Sequence, residues 1–132
     1  MAKRRQPRWL SRVAVAAIHN DQLREHGGLL GVRDENVLES ALARPQQAWS
    51  YEQASDVPSL AAHYAFGLVK NHPYRDGNQR IGFLALVTFL GMNGYDFAAS
   101  DADVVTTVVA LADGRVSEAQ LAAWIAANSA KR

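Results

Sequence analysis

Nine consecutive residues, His72-Pro73-Tyr74-Arg75-Asp76-Gly77-Asn78-Gln79-Arg80, bring together an imidazole, a carboxylate, a glycine, an amide and a guanidinium. The apolar run from Ile81 to Met92 follows at once, so these polar groups stand at the mouth of a helix that must be deeply buried. A helix N-terminus offers free N–H groups and the positive end of the dipole, which suits an anion such as phosphate. Gly77 lets the main chain come close to that anion. Arg80 can fork onto phosphate oxygens, and Asp76 can hold a hard cation such as Mg²⁺. His72 can take the proton of an attacking hydroxyl near neutral pH. The chemistry this set can do is transfer of part of a nucleotide. Any one of these residues would serve equally well in a polar turn between two core helices. The complete set in this order outweighs that reading.

The flanking sequence supplies the elements that must position the nonapeptide. A helix is predicted from about Trp9 to His26, stopped by Gly27-Gly28. Gly27, Gly28 and Gly31 match neither G-x-G-x-x-G nor the P-loop pattern, and no strand precedes them, so they read as a glycine C-cap and turn. Asp34 is placed to cap a helix that carries Val37, Leu38, Ala41 and Leu42 on one face and is stopped after Arg44 by Pro45. The stretch from Gln46 to Val57 lacks helical periodicity and holds Trp49 and Tyr51. Pro58 opens a helix to Asn71 with Leu60, Tyr64 and Leu68 along its stripe. His63 beside that stripe reads as structural, and Lys70 as solvated. Pro73 ends this helix, and the helix after the motif is apolar nearly all round, as befits the middle of a bundle. Gly82 and Gly91 would allow close helix approach, and Gly94 ends the element. Asp101 or Asp103 can cap a helix to about Asp113, although its valine and threonine run keeps a strand as the alternative. After Gly114, Ser117 and Gln120 form a capping box for a last helix that turns Leu121, Trp124 and Ile125 inward. The expected architecture is all-α: one domain, residues 1–132, with about six helices and one short irregular or β-hairpin flap.

Composition narrows the function classes. At 132 residues the chain is long enough for a sizeable core. Absence of cysteine excludes disulfides and thiolate metal sites, and His19, His26, His63 and His72 lack metal-ligand spacing. The longest apolar run is about 12 residues, against the ~20 a membrane span needs, and the basic N-terminus lacks an apolar signal core. The net charge of +1 is uneven. Lys3, Arg4, Arg5, Arg8 and Arg12 meet no acid in the first 12 residues, leaving nine basic against 13 acidic residues, a net of −4, in the remainder. Residues 1–8 therefore read as a basic, frayed arm, and with no basic aromatic face elsewhere no direct nucleic-acid partner is expected.

The nonapeptide resembles the signature of the Fic/Doc family, H-x-F-x-[D/E]-[A/G]-N-[G/K]-R, with Tyr74 in place of Phe and Gln79 at the Gly/Lys position. The upstream run Gly27-Gly28-Leu29-Leu30-Gly31-Val32-Arg33-Asp34, with Leu38 to Gln46 after it, resembles the Doc (death-on-curing) toxin branch in particular, over roughly residues 10 to 128. The resemblance implies a Fic/Doc-type helical bundle whose catalytic residues are His72, Asp76 and Arg80. It implies nucleotide binding by Gly77, Asn78, Gln79 and Arg80, with Asp76 as the Mg²⁺ ligand and ATP as the substrate. It also implies a flap beside the site at Gln46 to Val57, where Trp49 and Tyr51 either position the target or cover the core. The activity implied is phosphorylation of a threonine of elongation factor Tu in the bacterial cytoplasm, restrained by a Phd-type antitoxin. No S/T-x-x-x-E-G-N inhibitory motif occurs in the chain, which favours inhibition in trans. Adenylylation of a target is the alternative reaction, and a catalytically silent binding module the alternative class. Gln79 is nearly as long as Lys but uncharged. Its size disfavours the pose that glycine permits and so favours γ-phosphoryl transfer.

Overall fold

In a computed structural model, which describes residues 5–52 and 54–132, the chain forms six helices and one pair of short strands. The helices are α1 (Arg12–His26), α2 (Glu35–Tyr51), α3 (Val57–Asn71), α4 (Asn78–Met92), α5 (Asp101–Ala112) and α6 (Glu118–Ala127). The strands β1 (Tyr95–Phe97) and β2 (Ser129–Lys131) pair antiparallel, with Asp96 opposite Ala130. The all-α bundle expected from the periodicities is the one observed.

Helix α3 is the axis of the core. Leu60, Ala61, Ala62, Tyr64, Ala65, Leu68 and Val69 are all buried, facing α2, α4 and α6 on three sides. Small residues at 61, 62, 65 and 67 let those neighbours come close. Helix α4 lies against it through Ile81, Ala85, Leu86, Phe89 and Leu90. Gly82 is what permits that approach, since a Cβ there would sit 2.4 Å from Val69 Cγ2. Gly91, expected to do the same, faces open space. No helix of the described residues is long and apolar enough to cross a membrane.

Local signals decide most boundaries. Ser11, Asp34, Asp56, Ser100 and Ser117 cap α1, α2, α3, α5 and α6 with their side chains. Ser100, and not Asp101 or Asp103, caps α5; the two acids lie in its first turn, where they favour the dipole. Two corrections follow from packing. Helix α1 begins at Arg12, not Trp9, because Ser11 is the extended N-cap and Leu10 N–H before it donates to the Tyr64 hydroxyl at 3.0 Å. Arg8 exchanges two main-chain hydrogen bonds with the Asn93 side chain, while Lys3 and Arg4 lie outside the described residues. Second, Pro45 does not stop α2, which runs on to Tyr51. Leu38, Ala41, Pro45 and Ala48 are buried at helical spacing, so one apolar stripe passes through the proline, and its burial outweighs the lost hydrogen bond. The irregular flap is therefore confined to residues 52–56, of which Gln53 lies outside the described residues. The helix expected over the valine and threonine run forms as α5, and the strand alternative does not. The strands lie elsewhere, where Arg132 ties the C-terminus to Gly91 O, Tyr95 O and the Asp96 carboxylate.

Candidate active site

The nonapeptide does not stand alone; it is clamped to the glycine-rich loop between α1 and α2. Val32 and Tyr74 form an isolated antiparallel bridge. Pro73 O accepts from the Arg33 and Asp34 N–H groups at 2.7 and 3.1 Å, and Arg75 N–H donates to Gly31 O at 3.1 Å. Leu29 N–H donates to Asp76 Oδ2 at 2.7 Å. A side chain at Gly28 would press on Asp76 Cβ at 3.2 Å, so the glycine lets the two loops meet.

His72 terminates α3 in the left-handed conformation, φ 49° and ψ 58°, and is the one non-glycine residue with positive φ among the described residues. Such a backbone costs on the order of 1–3 kcal/mol. Arg33 holds it there. Its guanidinium donates to His72 O at 2.6 Å and to Asn71 O at 2.9 Å, placing a cation on the negative end of α3. The imidazole itself is exposed and has no hydrogen-bond partner among the described residues, so it is open to a ligand.

Tyr74 is the buried anchor of the loop, stacked on the His19 ring at 3.8 Å between centroids. Its hydroxyl finds no partner. Burial pushes the Tyr74 pKa up, partly offset by the nearby Arg12. Asn78 is 7% exposed and spends its amide on the main chain of Tyr74, accepting from the N–H and donating to the carbonyl, both at 3.0 Å. Its side chain therefore braces the loop, which leaves its main-chain N–H as the group that can face a nucleotide.

Gly77, φ 77° and ψ 17°, is the N-cap position of helix α4 and supplies no side-chain cap. Helix α4 is the one helix of the six so left, and its first-turn N–H groups are those of Asn78, Gln79 and Arg80. They border a cavity of about 380 Å³ lined by His72, Arg75, Asp76, Gly77, Asn78, Gln79 and Arg80. Gln79 and Arg80 are exposed, and neither Arg75 nor Arg80 has an ion pair among the described residues. An uncapped helix start with two unpaired guanidiniums lining the same cavity has the chemistry to take a polyanion. Asp76 has one carboxylate oxygen held by Leu29 and the other without a protein partner. No cluster of three metal-ligating side chains exists among the described residues. One free carboxylate oxygen beside an uncapped helix start is compatible with Mg²⁺, which takes one or two carboxylates and completes its shell with substrate oxygens and water.

All the motif residues named from sequence thus come together, but Trp49 and Tyr51 do not join them. Both sit near the end of α2. Trp49 packs partly buried against the core, while Tyr51 is 86% exposed. Tyr51 borders a separate hollow of about 200 Å³ with Arg44, Gln47, Ala48, Glu52 and His63. Beneath it Glu118 accepts from Arg44 and contacts His63 Nδ1, both at 2.7 Å. Burial opposes the charge on Glu118, but His63 and Arg44 outweigh it and hold its pKa below the usual range. His63 is structural, as expected. Sequence reasoning missed His19, Arg33 and Arg75. His19 carried a usable signal: with Val15 and Leu23 it continues the buried i, i+4, i+8 stripe of α1.

A model of the Fic/DOC family matches residues 9–90. The chain is 27% identical over 115 residues to protein kinase doc of Escherichia phage P1, covering 87% of this chain and 90% of that one. It is 40% identical over 79 residues to toxin Doc of Mycolicibacterium smegmatis, covering 59% and 60% of the two. The matched stretch runs through both clamped loops and down α4 to the buried Leu90, and the chain belongs to the Fic/Doc family.

Proposed function

We propose that the chain is a Doc-type toxin that transfers the γ-phosphoryl group of ATP to a hydroxyl of a target protein. The observation that carries this reading is α4, which alone lacks a side-chain cap and opens its first turn onto the cavity holding His72, Asp76 and Arg80. In that cavity His72 takes the proton of the target hydroxyl as its oxygen attacks the γ-phosphorus. The bond to the β–γ bridging oxygen breaks and ADP leaves. The first-turn N–H groups and Arg80 hold the phosphate oxygens in line, so most of the rate comes from positioning and charge stabilisation. Asp76 would hold Mg²⁺ against the same phosphates, and the ion would neutralise charge building on them.

Gln79 stands exposed at the cavity. Its length crowds phosphates laid close over the helix start, which favours γ-phosphoryl over adenylyl transfer. The relatives named as Doc support the toxin reading, and the family resemblance supports a threonine of elongation factor Tu as acceptor and a Phd-type antitoxin as inhibitor. The test is to incubate the protein, Mg²⁺ and elongation factor Tu with ATP labelled at either the α or the γ phosphate. Label on protein from γ alone is expected. Label from α alone would assign adenylylation instead, and Gln79→Gly should shift transfer in that direction.

A further inference from the structure

His19 takes no part in the chemistry just described, yet it is 1% exposed and its Nε2 lies 2.7 Å from Asp76 O. A carbonyl only accepts, so Nε2 carries the proton and the ring is the donor. The same ring stacks on Tyr74 and lies under Gly77, where a Cβ would meet His19 Nε2 at 3.4 Å. The peptide joining Asp76 to Gly77 is trans, as every peptide of the described residues is, and in a trans peptide C=O and N–H point in opposite directions. With its carbonyl drawn inward to α1, this unit must aim the Gly77 N–H outward. That N–H has no acceptor among the described residues, and Gly77 lines the cavity. Glycine tolerates either orientation of its peptides, so something outside the loop has to choose.

We infer that His19 is a positioning residue which, by holding the Asp76 carbonyl inward, turns the Gly77 N–H into a donor for the anion in the motif cavity. The inference rests on the phosphate-binding reading above and adds one donor to the three N–H groups that begin α4. Loss of the hydrogen bond frees the peptide to flip, which replaces a donor facing the anion with a carbonyl oxygen. This would weaken phosphate binding without touching His72, Asp76 or Arg80.

Three proteins decide it: the wild type, His19→Phe, which keeps a ring against Tyr74 but no donor, and His19→Gln, which keeps an N–H of similar reach. The ligand is inorganic pyrophosphate, and the readouts are its affinity and the Gly77 amide resonance. Wild type should bind with a shift of that resonance. His19→Phe should bind roughly tenfold or more weakly, the loss of a hydrogen bond to a charged acceptor, and its Gly77 resonance should stay still. His19→Gln should recover most of both. An equal affinity in His19→Phe would overturn the inference while leaving the anion site standing. A wild type that binds no pyrophosphate would remove the site itself, and the reading with it. One measurement needs no variant. The His19 Nε2 proton in the free wild type should exchange slowly and show scalar coupling to the Asp76 carbonyl carbon, and its absence would also overturn the inference.

Discussion

Asn78 and Arg80 stand two residues apart in one motif, and the structure gives them opposite kinds of work. Replacing Asn78 by alanine removes two 3.0 Å hydrogen bonds and leaves the N–H and carbonyl of Tyr74 unpaired in a buried loop. Each unsatisfied buried group costs about 1–3 kcal/mol. Taking the lower half of that range for a loop that can partly relax, the loss is about 2–4 kcal/mol. With an unfolding entropy near 2.1 cal/mol/K per residue over 132 residues, each kcal/mol moves the midpoint by about 3.6 °C. Asn78→Ala should therefore melt about 7–14 °C below wild type. Arg80→Ala removes an exposed side chain with no ion pair, and such changes usually stay within about 0.5 kcal/mol. Its melting point should hold to within about 2 °C, while affinity for ATP falls. Differential scanning calorimetry and titration calorimetry on the two variants give the comparison. If Asn78→Ala melts within about 3 °C of wild type, the bracing role assigned to its amide is wrong.

Gly77→Ala forces a Cβ into the left-handed region at φ 77° and toward His19. It should cost about 1–2 kcal/mol, seen as a lower melting point together with weaker pyrophosphate binding. Tyr74→Phe removes a buried hydroxyl that has no partner, so thermal melting should show equal or higher stability, and a clear loss would mean the hydroxyl has a role. Glu118 is held below its ordinary pKa by His63 and Arg44. Its contribution is complete above the unfolded value near 4.5 and disappears as the pH falls through the lower folded value. Melting points measured downward from pH 5 should therefore fall less steeply in Glu118→Gln than in wild type.

The parts of this fold that were legible in the sequence are those governed by local chemistry. Gly27, Asp34, the capping box of Ser117 with Gln120, and Gly94 all act within a few residues, and each marks its boundary as read. Pro45 misled because its local preference is to break a helix, while the buried stripe from Leu38 to Ala48 is a property of the assembled bundle. The strands were invisible for a related reason. Three residues carry too little alternation to read, and β1 pairs only because the far end of the chain returns to it. In the cavity, the lining residues His72, Asp76, Gly77, Gln79 and Arg80 were legible together because they fall within nine positions of sequence. The residues that hold them, His19 and Arg33, act across some 40 to 60 positions, and no pattern within a window of sequence links them to the motif. The bracing role of the Asn78 side chain was not legible, because it shows only in the buried pairing of its amide with the Tyr74 main chain.

The exposed His72 imidazole is proposed as the base in phosphoryl transfer. The most direct measurement is the single-turnover rate of label transfer from γ-labelled ATP to the target for wild type and for His72→Asn. Asparagine tolerates the left-handed backbone at this position better than alanine, so the loop should persist, and unchanged melting would verify that. A general base contributes about 10²–10⁴-fold in rate. The rate should fall by that factor in His72→Asn, with ATP affinity unchanged within about twofold. Transfer at the wild-type rate by the folded variant would contradict the claim.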